Sequence, residues 1–232
     1  MPDIKTRMID FSSNGPQGLT TPGYLAMPAE AVGCLGVVVI QEWWGLVPHI
    51  KEVTERFARG GFVALAPDLY HGQAADEPDE ARKLAMALDR ERAVQEILAA
   101  IRFLKSLDEV TPKKIGVVGW CMGGGLALST AAQGSAVDAA VAFYGRPLAP
   151  EDTPKIGCPV LGLFAEQDHG IPVEGVKAFQ VELEKNAILH EIHIYPGTLH
   201  AFFNDSRPQI YHPQAAEDAW KRTLDWFQKY LR

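Results

Sequence analysis

Cysteine is scarce in this chain of 232 residues. Its three cysteines, Cys34, Cys121 and Cys158, stand far apart, and no two have the C-x-x-C spacing of a zinc knuckle or a redox motif. An odd and widely spaced set argues against a disulfide framework and against a structural zinc site. It favours a reducing compartment, and we expect a cytoplasmic location.

Long apolar runs and basic runs are also lacking. The longest uncharged apolar stretch lies near 31–40 and is too short to cross a bilayer, and the first 13 residues contain no apolar core of a secretion signal. The net charge is −7, and Lys and Arg occur singly or in pairs rather than as a patch. We therefore expect neither a membrane nor nucleic acid as a partner.

The composition is that of an ordinary globular protein. Hydrophobic residues make up 47% of the chain and charged residues 22%, which excludes a disordered or fibrous chain. The length suits one α/β domain, and the chain contains no internal repeat, low-complexity tract or linker. We expect residues 1–232 to form a single domain.

Short apolar runs alternate with helical segments along most of the chain. Most of the runs are continuously apolar, which is typical of strands buried on both faces. The predicted strands are 8–12, 18–27, 36–40, 62–66, 114–118, 139–143, 160–164 and 191–195. The predicted helices are 49–59, 78–106 (long enough for two helices), 123–133, 172–186 and 213–230.

This alternation predicts an α/β fold with a mostly parallel sheet of about eight strands and helices on both faces, because parallel strands need crossover connections. Active sites in such sheets lie just past the carboxyl ends of the strands. The residues that directly follow each apolar run are therefore the candidates for function.

A cysteine lies between the predicted strand 114–118 and the following helix. The sequence there is Gly119-Trp120-Cys121-Met122-Gly123, the G-x-C-x-G form of a nucleophile elbow. So sharp a turn strains the backbone of the nucleophile, and only residues without bulk fit two positions to either side. The amide of Met122 and the helix N-terminus point at the same spot, where positive potential favours a thiolate and an oxyanion. Cys121 is the predicted nucleophile, with a buried structural cysteine as the alternative.

An acid and a base follow the elbow in the chain order that this type of elbow requires. Asp168 lies just past the strand 160–164, and His200 lies just past the strand 191–195. Glu166 competes with Asp168 for the role of the acid. For the base, the other candidates are His169, beside the acid, and His193, inside a strand.

A carboxylate and two tryptophans follow the predicted strand 36–40, in Gln41-Glu42-Trp43-Trp44. In folds with this elbow, the second oxyanion donor beside Met122 is a backbone amide at about the position of Trp43. Glu42 would then lie near the thiol, and its charge would keep the sulfur protonated until substrate displaces it. The alternative for Glu42 is an ion pair with an arginine in the core.

Four stretches together resemble the dienelactone hydrolase (carboxymethylenebutenolidase) family over nearly the whole chain: 41–45 (QEWWG), 67–72 (PDLYHG), 119–124 (GWCMGG) and 199–202 (LHAF). The resemblance implies an α/β-hydrolase fold with no metal and no organic cofactor. It assigns the nucleophile to Cys121, the acid to Asp168, the base to His200 and the resting-state partner of the thiol to Glu42. The implied chemistry is the opening of an unsaturated enol-lactone through a covalent thioester.

The chain departs from the family at Asn204. The family's best-known members resemble one another in an arginine at this position, four residues after the catalytic histidine, which holds the carboxylate of the lactone. A short amide cannot replace a bidentate cationic clamp. The nearest arginine is Arg207, and we consider Arg82 and Arg146 as sources of the charge, with ordinary surface arginines as the alternative.

Aromatic residues near the predicted strand ends are candidates for an apolar substrate pocket, although each can equally belong to the core. They are Trp43, Trp44, Tyr70, Tyr144 and Phe203.

The expected function is that of a cysteine hydrolase, monomeric or a small homo-oligomer, acting on a small lactone or ester. The first alternative is a general carboxylesterase or thioesterase without preference for a carboxylate. The second is a non-hydrolytic thiol redox or binding protein, for which a resolving cysteine near Cys121 would be required.

Overall fold

The computed structural model describes residues 2–13 and 20–232. The eight strands in these two ranges are β1 (Ile4–Ser12), β2 (Thr20–Pro28), β3 (Cys34–Ile40), β4 (Phe62–Pro67), β5 (Val110–Trp120), β6 (Ala139–Phe143), β7 (Val160–Ala165) and β8 (His190–Tyr195). They form one sheet in the order β1-β2-β4-β3-β5-β6-β7-β8. The run from β4 to β8 is parallel, whereas β1 and β2 are antiparallel to their neighbours.

In the described residues, six α-helices connect and cover these strands. They are α1 (Pro48–Arg59), α2 (Pro78–Ala87), α3 (Arg90–Ser106), α4 (Met122–Ala131), α5 (Val173–Lys185) and α6 (Pro213–Tyr230). Within the described part of the chain, none of them has the length and apolar character of a membrane-spanning segment.

Each face of the sheet carries its own hydrophobic core. One core includes residues of α1 and α6, such as Phe57 and Phe227, and the other includes residues of α3, α4 and α5, such as Ile97. Along β5, the neighbouring residues Val117 and Val118 belong to opposite cores, and both are fully buried. The continuously apolar strands are therefore covered on both sides, and the predicted fold class is confirmed.

The element bounds differ from the predicted ones mainly at the edges. The long segment 78–106 is two helices, separated at Leu88 and Asp89, because the Asp89 side chain accepts a hydrogen bond from the backbone of Arg92 and caps α3. The first strand begins at Ile4 rather than at residue 8, since it pairs with β2 along its whole length. The start of the predicted strand 18–27 falls outside the described residues.

Glycines allow the backbones to approach closely at the end of β5. A Cβ atom at Gly119 would lie 2.0 Å from the carbonyl oxygen of Gly123, and one at Gly123 would lie 2.4 Å from that of Gln41. Because the obstructing atoms belong to the backbone, a side chain rotation cannot relieve either clash. These contacts fix α4 against the ends of β3 and β5.

We expect Gly119→Ala to lower the free energy of unfolding by about 1–3 kcal/mol or to abolish soluble expression, because the added methyl group overpacks backbone against backbone. Chemical denaturation followed by circular dichroism measures the change. The control is Gly175→Ala in α5, where nothing lies within 4 Å of the added carbon. That variant should gain up to about 1 kcal/mol from helix propensity, and equal stability of the two variants would contradict the packing argument.

Candidate active site

Cys121 sits on the turn between β5 and α4. Its φ and ψ are 56° and −116°, a strained conformation for a residue with a side chain. The turn is held in place because the backbone N–H of Cys121 donates to Phe143 at 3.0 Å and its carbonyl accepts from Gly124 at 3.1 Å. The side chain is partly exposed at the carboxyl edge of the sheet. This geometry is that of the predicted elbow.

Asp168 and His200 meet from two loops at the same edge. Oδ2 of Asp168 lies 2.5 Å from Nδ1 of His200, and Oδ1 accepts the backbone N–H groups of Gly170 and Ile171 at 2.8 and 3.0 Å. Burial alone would raise the pKa of Asp168, but the hydrogen bonds from His200 and the two amides outweigh it and lower the pKa. Asp168 is therefore ionised and orients the imidazole.

His200 also interacts electrostatically with the thiol of Cys121. Burial disfavours the imidazolium, but the hydrogen bond with Asp168 and the interaction with Cys121 outweigh burial and raise the pKa of His200 to about 10. His200 therefore holds a proton more readily than an ordinary histidine. A histidine between a carboxylate and a thiol can take a proton from the nucleophile and return it to a leaving group.

The alternative candidates for the acid and the base do not take part in the contact between Asp168 and His200. Glu166 is exposed, and its carboxylate accepts the backbone N–H of Gly197 at 2.8 Å, which holds the loop that carries His200. His169 is exposed. His193, on the edge strand β8, contacts Glu191 on the same strand and Arg222 on α6. The geometry therefore favours Asp168 and His200.

The two predicted oxyanion donors are linked by Tyr70. Met122 is the first residue of α4, so its N–H has no partner within the helix. The buried Tyr70 hydroxyl donates to the carbonyl of Trp43 at 3.2 Å and lies 3.5 Å from the sulfur of Met122. Burial, together with the nearby Cys121, raises the pKa of Tyr70, so the phenol stays neutral. Tyr70 thus helps to position both residues.

Glu42 is 1% exposed. It is held by Asn204, the residue at which the sequence departs from the family pattern. Nδ2 of Asn204 donates to Oε2 of Glu42 at 2.7 Å. Burial raises the pKa of Glu42, and the charges of His49, His200 and Arg207 and the Asn204 hydrogen bond only partly offset it. The hydrogen-bond partner of Glu42 is therefore an amide rather than an arginine of the core. In the sequence, the departure from the family pattern at Asn204, four residues after His200, was the feature that pointed to this residue.

The predicted aromatic residues divide between the site and the core. The ring of Tyr144 packs edge-on against His200, with centroids 5.0 Å apart, and its buried hydroxyl has no hydrogen bond of good geometry. Burial and the nearby Glu42 and Cys121 raise the pKa of Tyr144, so it too is neutral. Phe203 is 1% exposed and packs against Trp120 and Phe143, which makes it a core residue rather than an open pocket wall.

Among the arginines, Arg207 is the one whose charge acts on Glu42 and Tyr144. Its guanidinium lies over the ring of Trp44, 5.3 Å from the centroid. Arg82 is an exposed residue of α2 in an ion pair with Asp79 at 3.5 Å, and Arg146 is exposed after β6. Which arginine reaches the site depends on the direction that its side chain takes from the loop, and the spacing of residues along the chain does not reveal that direction.

His49 is a residue of this region that the sequence pattern did not single out. It lies in the first turn of α1 with 4% of its side chain exposed, and its Nδ1 is 3.1 Å from Oδ1 of Asp205. A lone histidine at a helix start carries no signal of its own. For residues 2–13 and 20–232, no group of three His, Cys, Asp or Glu side chains is placed to hold a metal ion.

Known proteins resemble this chain along nearly its full length. A sequence model of the Dienelactone hydrolase family matches residues 21–231. "Protein usf" of Aquifex pyrophilus is 40% identical over 233 residues, which covers 97% of this chain and 99% of that protein. A protein named "Putative carboxymethylenebutenolidase" in Aquifex aeolicus is 36% identical over 234 residues, covering 97% and 99%.

A solved structure shows the same architecture. The crystal structure of "Putative Dienelactone Hydrolase" from Klebsiella pneumoniae superposes with a TM-score of 0.85 at 30% identity, covering 98% of this chain and 100% of the other. Sequence and structure thus agree with the family that the four motifs resemble. The chain belongs to the dienelactone hydrolase family and is a carboxylic ester hydrolase with the α/β-hydrolase fold.

Proposed function

We propose that this protein is a cysteine hydrolase that opens an enol-lactone or a small ester through a thioester on Cys121. One observation carries the proposal: Nδ1 of His200 lies 2.5 Å from the buried carboxylate of Asp168, and the same imidazole interacts electrostatically with the thiol of Cys121. Nucleophile, base and orienting acid in this relation are the requirement for covalent catalysis of acyl transfer.

In the acylation step, Sγ of Cys121 attacks the carbonyl carbon while His200 holds the thiol proton. The negative charge that develops on the carbonyl oxygen is stabilised by the backbone N–H groups of Met122 and Trp43. As the tetrahedral intermediate collapses, the bond to the ring or ester oxygen breaks. His200 then donates its proton to the leaving enolate or alkoxide.

In the deacylation step, a water molecule gives one proton to His200 and attacks the thioester carbon. The same two amides stabilise the second oxyanion. The bond to sulfur breaks, the acid product leaves, and the proton on His200 returns to the thiolate. Asp168 stays ionised throughout and keeps the imidazole oriented.

The other cysteines support hydrolysis rather than redox chemistry. Cys34 begins β3 and Cys158 precedes β7, so both lie toward the amino ends of strands, opposite the edge that carries Cys121. Both are unpaired and buried, and burial raises the pKa of each thiol. Three free thiols also support the proposal of a reducing, cytoplasmic location.

We further propose that the substrate carries a carboxylate, which Arg207 binds. Its guanidinium lies over the ring of Trp44, and its charge lowers the pKa values of Glu42 and Tyr144, so the charge acts on the site. The alternative, an esterase without preference for an anion, is supported by Asn204, because the position of the family's arginine is used here to hold Glu42.

We expect Cys121→Ala to lower kcat/KM for a p-nitrophenyl ester by about 10³-fold or more, because the covalent route is lost. Intact-protein mass spectrometry after rapid quenching should show an acyl adduct on the wild type and none on this variant. Cys34→Ala is the matched control and should keep the adduct and the activity. Full esterase activity in Cys121→Ala would refute the mechanism.

We expect Arg207→Ala to lower the kcat/KM ratio of a carboxylate-bearing ester to its neutral counterpart by about 10- to 100-fold, as for a lost hydrogen bond to a charged group. Arg82→Ala and Arg146→Ala test the two arginines predicted from the sequence, and Arg102→Ala on α3 is a surface control. A wild type that hydrolyses both esters equally well would instead support the esterase without anion preference.

A further inference from the structure

The loop that follows β4 has an unusual backbone at the residue after Tyr70. His71 has a φ of 52°, in the left-handed region, where a residue with a side chain is strained and stays only if its surroundings hold it. The carboxylate of Asp68 accepts the backbone N–H groups of Tyr70 and Gly72 at 3.2 and 2.7 Å. These bonds close the turn within the loop, so its attachment to the helices needs further contacts.

A buried carboxylate of α3 provides such a contact. Nε2 of His71 lies 2.9 Å from Oε1 of Glu96, whose side chain is 4% exposed. Nε of Arg92, one turn earlier on α3, donates to the same oxygen at 2.9 Å. Hydrogen bonds in which one partner is charged are the stronger ones in proteins. The side chain of His71 is therefore tied to α3.

A cavity makes this tie important. It has a volume of about 510 Å³ and lies between the loop after β4 and the segment that joins α2 to α3. The loop side includes Tyr70 and His71, and the helix side includes Leu88 and Glu96. Side chains that line a cavity lack packing contacts on that side. The pair of His71 and Glu96 supplies a connection between the two walls.

The same loop supports the segment that carries Trp43. The Tyr70 hydroxyl donates to the carbonyl of Trp43 at 3.2 Å. A Cβ atom at Gly45 would lie 2.8 Å from the carbonyl oxygen of Gln73, so the backbones of the two loops are in close contact. The carbonyl and the N–H of Trp43 belong to one residue. A displacement of Tyr70 therefore also displaces the predicted oxyanion donor.

We propose that His71 and Glu96 are positioning residues for the oxyanion hole. Their contact fixes the backbone at Tyr70, and the Tyr70 hydroxyl fixes Trp43, whose N–H is thereby held ready for the charge that develops on the substrate. This role rests on the proposed function, because the N–H stabilises an oxyanion only if one forms at Cys121. Both residues act through Tyr70.

His71→Asn is the variant that tests the proposal, because asparagine tolerates the left-handed region but is too short to reach Glu96. We expect kcat for a p-nitrophenyl ester to fall by about 10- to 100-fold, as for a displaced catalytic group. KM should change by less than about twofold, because the lost interaction is made in the transition state. Tyr70→Phe should lower kcat in the same way, and adding His71→Asn to it should change kcat little further.

Two further measurements separate the positioning of the oxyanion hole from damage to the fold. In alkylation by iodoacetamide, the sulfur of Cys121 displaces iodide from a saturated carbon and no oxyanion forms, so His71→Asn should react at the wild-type rate. Hydrogen–deuterium exchange followed by mass spectrometry should be about tenfold faster in peptides that cover 41–46, as for a lost hydrogen bond to a charged group. Peptides that cover 119–126 should exchange as in the wild type.

His190→Asn is the matched control. His190 also lies near a glutamate, with Nε2 4.0 Å from Oε1 of Glu184, but it is at the amino end of β8, opposite the edge that carries Cys121. Its kcat, alkylation and exchange should equal those of the wild type. If His71→Asn does not fold, Glu96→Gln keeps the size of the side chain and should lower kcat by a smaller factor.

Four results would overturn the proposal: an unchanged kcat in a folded His71→Asn or Glu96→Gln variant, equal losses of kcat and alkylation rate, additive losses in the double variant with Tyr70→Phe, or unchanged exchange at 41–46. A wild type that does not hydrolyse the ester would instead contradict the proposed function. The exchange measurement needs no turnover and still tests whether His71 holds the segment of Trp43.

Discussion

The backbone turn at Cys121 is the constraint on which the site depends. A positive φ of 56° at a residue with a side chain is tolerated because close contacts of the flanking backbone segments hold the turn in this conformation. Gly119 lies against Gly123, and Gly123 lies against Gln41, so the end of β5, the start of α4 and the end of β3 are locked together. The sulfur, the free amide of Met122 and the loop of Glu42 and Trp43 therefore have fixed relative positions.

The pKa values of two buried carboxylates at the site are shifted in opposite directions by their surroundings. Asp168 accepts two backbone amides and His200, which lowers its pKa, whereas Glu42 accepts one neutral amide and its pKa is raised. Groups whose environments push their pKa values apart take different parts in proton chemistry. Asp168, whose pKa is lowered, can orient a base as a carboxylate, whereas Glu42 takes up a proton more readily than an ordinary glutamate.

Periodicity and glycine spacing are sufficient to predict the sheet and the sharp turn at Cys121, because both depend on local backbone preferences and on where strands end. The catalytic roles of Cys121, Asp168 and His200 stay predictions. Side-chain direction was not predictable in the same way. Phe203 and Asn204 are adjacent, yet one is in the aromatic core and the other holds Glu42. The contacts of Arg207 with Trp44 and of His49 with Asp205 join segments far apart in the chain, so only the folded structure brings them together.

A crystal structure of the acyl-enzyme, trapped with a slowly hydrolysed ester, tests the central claim most directly. The account predicts continuous density from Sγ of Cys121 to the acyl carbon, with the carbonyl oxygen about 2.7–3.1 Å from the backbone nitrogens of Met122 and Trp43. An acyl group attached to any other residue, or a carbonyl oxygen turned away from both amides, would contradict it.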